Sequence, residues 1–252
     1  MTDRTPDTQQ SEADYLAQYN IHDYDLPLTS VDLAIFTLLH GELQVLLVER
    51  DSFPARGQWA LPGGFVDIQQ DLSLEATAIR KLQEKTGVAT PYVEQVLTTG
   101  SPERDPRGWS ITVLYMALIA HAPTQSHVQG IRDARWIPWA EAQQLPLAFD
   151  HSALLMAARE RLQSKTAYTA LPLHVLNAPF TLSELQRAFE TLLDAPLEKK
   201  SFRRRMEEAG LLEAVDADPQ RSGKGRPAAL FKPKTAAGDF VFSRILGQTR
   251  EG

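Results

Sequence analysis

Cysteine is absent from this chain of 252 residues, and so is any apolar run of about eighteen residues. The first absence excludes disulfides and cysteine-based metal sites, and it permits a reducing compartment. The second excludes a transmembrane helix. The N-terminus, MTDRTPDTQQSEAD, has no apolar segment of the kind found in secretory signals. We therefore expect a cytoplasmic protein without a membrane partner.

Histidine-based metal sites and a Ser-His-Asp triad are also missing. The six histidines are scattered and show no metal-ligand spacing, and no Ser-His-Asp arrangement stands out. Asp150-His151 is interpreted as a helix start, with Asp150 as its N-cap, rather than as a catalytic pair. The sequence thus predicts neither a resident metal nor a cofactor.

Charge is distributed unevenly along the chain. Residues 1–169 carry 13 Lys and Arg against 21 Asp and Glu, whereas residues 170–252 carry 13 against 11. A mildly acidic body followed by a locally basic region indicates two units, one of which could face an anionic partner.

The stretch from Gly63 to Gly87, GGFVDIQQDLSLEATAIRKLQEKTG, contains the most informative pattern. A glycine pair and an acidic loop precede a helix that is predicted to end near Gly87. The apolar residues that fall at helical spacing, and that we expect to face a core, are Leu72, Ala76, Ile79 and Leu82. The charged residues expected mostly on the opposite side are Arg80, Lys81, Glu84 and Lys85.

This stretch resembles the signature of the Nudix family, hydrolases of nucleoside diphosphates linked to another group. The residues that fit the family pattern are Gly64, Arg80, Leu82, Glu84 and Gly87. Three positions depart from it: Leu72 stands where the first glutamate would best align, and Lys81 and Lys85 replace two more glutamates. The resemblance implies an α/β/α sandwich over residues 28–165, after a flexible lead-in over residues 1–27.

The departures change what the box can bind. A working box holds magnesium with carboxylates on one helix face, and the metal bridges the diphosphate. Two ammonium groups repel magnesium but attract a diphosphate directly, so we expect a nucleotide-like ligand to bind without being cleaved. The alternative is a magnesium-dependent hydrolase of a nucleoside diphosphate derivative, in which Asp67 and Asp71 would supplement Glu84. A further alternative is an ordinary amphipathic helix with a solvated charged face, which the agreement of the glycine pair, Arg80 and Gly87 with the family pattern disfavours.

A second cluster of candidates follows in the loop GSPERDPRGWS. Its arginines suit diphosphate oxygens, and Trp109 could stack on a base or be buried in the sandwich. The candidate ligand-binding residues are Arg56, Trp59, Gly63, Gly64, Phe65, Arg80, Lys81, Glu84, Arg104, Arg107 and Trp109.

A new pattern begins after a predicted linker over residues 166–179. Phe180 is followed by Thr-x-x-Glu, which predicts a hydrophobic staple and a capping box at Thr181. A helix, a tight turn at Asp194-Ala195-Pro196, a basic helix ending at Gly210 and a hairpin with a basic tip are the organisation of a winged helix-turn-helix. We assign residues 180–252 to this domain.

The second helix of that motif would enter the major groove, and the hairpin tip would touch the flanking backbone. The candidate DNA-binding residues are Lys199, Lys200, Ser201, Arg203, Arg204, Arg221, Lys224 and Arg226. Each cluster alone could be a solvated face or a mobile turn. Their adjacency after a capped helix favours DNA binding.

Taken together, the chain resembles the Nudix-related transcriptional regulators, which include repressors of NAD-metabolism genes. The segments that carry this resemblance are LPGGFVD, AIRKLQEKTGV, RDPRGWS, LAFDH, FTLSELQ and FRRRMEEAGLLE. It implies a homodimer that binds double-stranded operator DNA and senses ADP-ribose or a related nucleotide or sugar phosphate. A nucleotide-binding interaction module that binds no DNA remains a further alternative.

Overall fold

The structure, a computed structural model, describes residues 11–87, 92–121, 131–215 and 228–246. A short exposed helix, α1 (Glu12–Gln18), leads into the strands β1 (Leu28–Leu39), β2 (Glu42–Arg50), β3 (Trp59–Ala60) and β4 (Gly63–Phe65). Within the described ranges, none of the helices combines the length and apolar character that crossing a bilayer requires.

Seven strands form the sheet of the N-terminal unit. The helix α2 (Leu74–Thr86) precedes β5 (Tyr92–Ser101), β6 (Ser110–Leu118) and β7 (Ile131–Pro138). The strand order is β3-β2-β1-β6-β5, with β4 paired to β1 and β7 paired to β2. The β1–β6 pair is parallel, and the β1–β2 hairpin turns at His40 and Gly41, both at positive φ.

Helices cover both faces of this sheet. Ala78 and Leu82 of α2 pack with Leu33 and Val113 on one face. On the other face, the helix α4 (His151–Thr166), which follows the short helix α3 (Trp139–Ala142), packs against Phe36 and Leu114. The predicted α/β/α sandwich is therefore confirmed, and its two apolar layers follow from strands that are buried on both faces.

The box helix α2 begins later than predicted. Ser73 is its N-cap, with its side chain accepting a hydrogen bond from the Ala76 N–H, and Gly87 closes it at φ 71°. Leu72 therefore lies outside the helix and is 98 % exposed, so the prediction that it faces the core was wrong. The core side of α2 includes Thr77 in addition to Ala78 and Leu82.

The C-terminal unit is a winged helix, as predicted. It consists of β8 (Phe180–Thr181), α5 (Leu182–Leu193), α6 (Lys199–Ala209), β9 (Leu212–Val215) and β10 (Leu230–Pro233), with the strand order β8-β10-β9. Phe189 and Phe202 meet edge to face in its core, with ring centroids 5.3 Å apart. The tip of the hairpin between β9 and β10, with Arg221, Lys224 and Arg226, lies outside the described residues.

Three hydrogen bonds attach α5 to the N-terminal unit. The buried guanidinium of Arg159 donates to the Leu192 carbonyl at 2.8 Å, and the Gln163 amide donates to the Leu193 carbonyl at 2.7 Å. The Thr191 hydroxyl donates to the Gly41 carbonyl in the β1–β2 turn at 3.0 Å. Between the units, the segment 166–179 forms a short 3₁₀ helix, Leu171–Val175, with four of its five residues buried.

The capping box at the start of α5 predicts a measurable stability effect. Thr181 Oγ1 accepts from the Glu184 N–H at 3.1 Å, and the Glu184 carboxylate accepts from the Thr181 N–H at 2.7 Å. We expect Thr181→Ala to lower the free energy of unfolding by about 1 kcal/mol, measured by urea unfolding, because one helix N–H loses its acceptor. Thr181→Ser, which keeps the hydroxyl, should retain most of the stability. Equal stability of the alanine variant would contradict this role.

Candidate functional site

A cavity of about 480 Å³ opens between the sheet, the box helix α2, the loop after β5 and the start of α4. It is large enough for a nucleotide-sized ligand. Its lining residues are Ser30, Asp32, Val48, Arg50, Leu61, Gly63, Gly64, Phe65, Lys81, Glu84, Lys85, Arg104, Asp105, Arg107, Ser110, Phe149 and His151.

The glycine pair lets backbone and side chains meet closely at the edge of this cavity. A Cβ at Gly63 would lie 2.3 Å from the Asp32 Oδ1 atom and 2.6 Å from the Val31 carbonyl oxygen. Gly64 has φ +155°, and a Cβ there would contact the Lys81 side chain at 3.2 Å. Glycine is therefore required at Gly63 by space and is favoured at Gly64 by conformation.

Positive charge predominates in the lining, with five cationic side chains against three carboxylates. Burial lowers the pKa of Arg50, and the neighbouring charge of Arg107 lowers it further. Arg107 is held by Asp105, whose carboxylate accepts two hydrogen bonds from the guanidinium at 3.0 and 2.7 Å. The Arg107 guanidinium also lies 5.0 Å from the ring centroid of Phe65. A site with surplus, crowded cations suits an anionic ligand.

The box helix contributes two lysines and one glutamate to the cavity. Lys81 Nζ lies 3.3 Å from the Glu84 carboxylate. Lys85 is only 5 % exposed, and its burial lowers the pKa of the ammonium group to about 8. Over the described part of the chain, no three metal-binding side chains of the His, Cys, Asp or Glu type come together as a metal site would require. The box helix therefore presents two cations and one carboxylate to the cavity.

A charged cluster, whose members the sequence did not bring together, lies at one side of the cavity. Arg104, 7 % exposed at its side chain, donates to both oxygens of Asp150 at 3.0 Å and lies 3.6 Å from Asp32. Thr112 donates to Asp32 at 2.7 Å. His151 Nδ1 accepts from the Leu61 N–H at 2.9 Å, so its proton is on Nε2, which lies 3.8 Å from Asp32. Burial lowers the pKa of His151 and keeps it neutral.

Asp150 does not act as the predicted cap. It occupies the N-cap position of α4, but its side chain makes no capping hydrogen bond. Its carboxylate turns instead to the guanidinium of Arg104, because an ion pair with a buried cation outweighs a bond to one backbone N–H. Arg104 therefore links the loop after β5 to the first turn of α4.

Seven of the eleven sequence candidates line the cavity: Gly63, Gly64, Phe65, Lys81, Glu84, Arg104 and Arg107. The other four lie elsewhere. Arg80 is tied to Asp71 and Glu84 and fixes the acidic loop against α2. Arg56 is exposed, with an ion pair to Asp51 at 3.5 Å, and Trp59 packs against the core. Trp109 is 50 % exposed, with its ring edge over Gly100.

Sequence reasoning missed Asp32, Arg50, Asp105 and His151 as cavity residues. They come from β1, β2, the loop after β5 and α4, so no local motif unites them. The one available signal was the short sequence Arg-Asp-Pro-Arg, in which Asp105 lies between two predicted ligand arginines.

The second candidate site is the outer face of α6. Glu198 caps this helix, with its carboxylate accepting from the N–H groups of Lys200 and Ser201 at 2.8 and 2.6 Å. Phe202 and Met206 are buried against α5. The five described DNA-binding candidates are all exposed: Lys199, Lys200, Ser201, Arg203 and Arg204.

The fold and the two sites define a Nudix-type ligand-binding domain joined to a DNA-binding winged helix. Sequence models of these domains match the chain accordingly: the NUDIX domain matches residues 29–158, and the NrtR DNA-binding winged helix domain matches residues 172–232. The chain belongs to the NrtR family of Nudix-related transcriptional regulators.

Similar proteins cover both domains. The ADPR responsive transcriptional repressor NtrR of Acinetobacter baylyi is 49 % identical over 240 residues, which cover 95 % of each chain. Shewanella oneidensis NrtR, in a crystal structure complexed with a 27mer DNA, matches with a TM-score of 0.77, 45 % identity and coverage of 86 % of this chain and 99 % of that chain. The NUDIX domain of the same protein, in a cocrystal structure with ADP ribose, gives a TM-score of 0.58 at 48 % identity, covering 61 % of this chain and 99 % of that chain.

The buried lysine of the cavity predicts a pH-dependent stability. Because the folded pKa of Lys85 is lowered from 10.5 to about 8, the unfolded chain binds more protons between these values, and stability rises with pH across that window. We expect Lys85→Met to be more stable than the wild type below pH 8 by about 1–3 kcal/mol, since each pKa unit corresponds to about 1.36 kcal/mol. Urea unfolding from pH 7 to 10.5 should show this difference shrinking.

The matched control is Leu72→Met, at a side chain that does not titrate and is 98 % exposed. Its difference in unfolding free energy from the wild type should not change with pH over the same range. A Lys85→Met difference that is equally flat would show that the cavity does not hold this lysine away from solvent.

Proposed function

We propose that this protein is an ADP-ribose-responsive transcriptional repressor that binds operator DNA through α6. One observation carries the proposal: a cavity with surplus positive charge and an exposed basic helix are built on the same chain. The relatives support it, because one is named as responsive to ADPR and another was crystallised with DNA.

The diphosphate of the effector would lie against the box helix. Lys81 and Lys85 present ammonium groups on one side of the cavity, and Arg107 presents a guanidinium fork on the other. The carboxylates of Asp32 and Asp105 supply acceptors for ribose hydroxyls. Phe65 and Phe149 supply the aromatic surface in the lining. The cavity therefore offers a partner to each chemical part of a nucleoside diphosphate sugar.

We propose further that the effector is bound and not hydrolysed. Lys81 and Lys85 stand where the Nudix pattern has glutamates, and Glu84 is the one carboxylate that α2 directs into the cavity. The loop acids Asp67 and Asp71, which a hydrolase would need as further metal ligands, are held by other groups: Gln70 donates to Asp67, and Arg80 donates to Asp71. The ammonium groups of Lys81 and Lys85 would attract the phosphate groups in place of magnesium.

DNA recognition would use the exposed face of α6 in the major groove. Two copies of the chain, related by a two-fold axis, would read two half-sites, which is why we propose a homodimer. A location in the cytoplasm, in contact with chromosomal DNA, follows from this role.

The helix α4 offers a route from the effector to the DNA-binding unit. Its first turn meets the cavity through Asp150 and His151, and its later turns hold the end of α5 through Arg159 and Gln163. A bound diphosphate would compete with Asp150 for the guanidinium of Arg104. A movement of the start of α4 would then change the position of α5 on the N-terminal unit, and α6 would move together with α5.

The central test measures DNA binding with and without ADP-ribose, using the region upstream of the protein's own gene at fixed salt, because phosphate contacts make affinity salt-dependent. We expect selective binding that ADP-ribose weakens. Arg107→Ala should reduce ADP-ribose affinity by about 10- to 100-fold, measured by calorimetry, since hydrogen bonds to charged groups contribute about 1.5–3 kcal/mol. Affinity should be the same in EDTA and in magnesium.

The control for the cavity is Arg135→Ala, which removes an arginine that is 66 % exposed at its side chain and paired with Asp133. It should leave ADP-ribose affinity unchanged. An absence of selective DNA binding would contradict the repressor proposal. Magnesium-dependent cleavage of ADP-ribose by the wild type would favour the hydrolase alternative.

The proposed coupling route predicts a variant that senses the effector without responding to it. Asp150→Asn removes the charge that holds Arg104, so ADP-ribose should bind at least as tightly as in the wild type. The ratio of DNA affinities without and with ADP-ribose should fall toward one, because that ratio measures the coupling free energy. Fluorescence anisotropy with labelled DNA gives the ratio.

Asp133→Asn is the matched control, since it also removes a carboxylate that is paired with an arginine, at 2.6 Å, in the same unit. Both its effector affinity and its coupling ratio should equal those of the wild type. An Asp150→Asn protein with the full wild-type ratio would exclude the ion pair from the route.

A further inference from the structure

A second concave surface lies in the C-terminal unit, along the flank of α6. We name it the flank groove, and its volume is about 440 Å³. It is formed by α6 and by the chain segment 240–246, which lies beyond the residues matched by the winged helix model. Its lining residues are Ser201, Arg204, Arg205, Glu208, Ala209, Phe240, Phe242, Ser243 and Arg244.

The segment 240–246 is firmly attached to the rest of the protein. The Phe242 N–H donates to the Tyr168 carbonyl at 2.7 Å, and the Leu246 N–H donates to the Ala167 carbonyl at 2.7 Å. Both side chains are 7 % exposed and belong to the core of the winged helix. The backbone is thus fixed on both sides of Arg244, and its exposed side chain is presented beside α6 from a rigid support.

The flank groove gathers three arginines and one carboxylate. Glu208 lies 3.7 Å from Arg204, and one carboxylate cannot balance the charge of all three arginines. Arg205 donates to the backbone carbonyl of Arg244 at 2.9 Å, and its guanidinium lies over the Phe242 ring at 5.9 Å. Neither Arg205 nor Arg244 has an ion pair with a carboxylate among the described residues.

This crowding is unfavourable in the free protein. Burial lowers the pKa of Arg205, and the charge of Arg244 lowers it further, against a smaller opposing effect of Glu208. An anion placed among the three guanidinium groups would relieve their repulsion and accept their free N–H donors. A phosphate group has the geometry and charge that such forks bind best.

The position of the groove indicates where that phosphate comes from. Ser201 and Arg204 line the groove and also belong to the exposed face of α6, so the two surfaces are continuous. When a helix lies in the major groove, the adjacent protein surface faces the DNA backbone that borders that groove. A free nucleotide would need no such continuity with a DNA-reading helix.

We propose that the flank groove binds a backbone phosphate of DNA next to the bases faced by α6, with Arg244 as a phosphate contact contributed by the segment 240–246. This inference rests on the proposed DNA-binding function. It adds a clamp on the side of α6, in which Arg244 is a donor from outside the helix and the hairpin.

The test compares wild type and Arg244→Ala by fluorescence anisotropy on duplex DNA across a salt series. Losing one phosphate contact should make the plot of log affinity against log salt less steep by about 0.9. At 0.1 M salt, this change corresponds to roughly an eightfold loss of affinity. The ratio of affinities for the upstream-region duplex and a scrambled duplex should stay constant, because phosphate contacts do not read sequence. Arg244→Lys should recover part of the affinity.

Two controls separate this role from a structural one. Ile245→Ala truncates an exposed neighbour in the same segment, and Arg135→Ala removes a distant exposed arginine. Both should keep the wild-type slope. An Arg244→Ala protein with wild-type affinity and slope would overturn the proposal. So would saturable binding of inorganic phosphate that requires Arg244 while DNA binding does not.

The scrambled duplex at low salt keeps this test independent of the operator. Nonspecific binding depends on phosphate contacts alone, so the Arg244→Ala effect should appear there too. If the wild type bound neither duplex, the proposed function itself would fail. A failure restricted to Arg244 would remove the clamp and leave the repressor proposal intact.

Discussion

The buried guanidinium of Arg159 is the interaction on which the two-part structure depends. Arg159 is 7 % exposed, and burial lowers its pKa. Its guanidinium donates a hydrogen bond to the carbonyl of Leu192. The C-terminal end of a helix carries partial negative charge, and there the last carbonyls of α5 lack helical partners. The Arg159 side chain thus gives a carbonyl at the end of α5 a hydrogen-bond donor, and it helps to attach the DNA-binding unit to α4.

The balance of cations and carboxylates is equally important in the proposed effector cavity. The cavity lining has five cationic side chains and three carboxylates, so the carboxylates do not balance all the cations. Arg104 is shared by two carboxylates, and Arg107 is held by one. In the proposed regulator, an anion that enters this cavity would supply the missing negative charge and rearrange these ion pairs.

Local patterns in the sequence located turns and helix ends, and the resemblance to the Nudix family supplied the sandwich fold. The glycine pair, the capping box at Thr181 and the glycines that end α2 and α6 are each decided by neighbours within a few residues, and the structure confirms these elements. Leu72 was misjudged because the helix start depends on Ser73, which competes as an N-cap.

The cavity could be predicted only in part. Lys81, Glu84 and Arg107 belong to recognisable motifs, whereas Asp32 and His151 approach each other only through the β1–β6 pairing and the packing of α4. The role of Asp150 was missed for the same reason. Its partner Arg104 lies 46 residues away in sequence, and single-sequence patterns report only near neighbours.

In the proposed coupling route, one continuous helix, α4, connects the cavity to the DNA-binding unit, and this has a kinetic consequence. α4 is 16 residues long, about 24 Å at the helical rise, and no hinge or unfolded segment interrupts it. Rigid-body shifts of such elements take about microseconds to milliseconds. A repressor bound with a Kd of about 1 nM and associating at about 10⁷ M⁻¹s⁻¹ stays on its site for about 100 s. In the proposed regulator, the speed of derepression would therefore be set by how far the effector shortens the residence time on DNA, and the conformational step would not limit it.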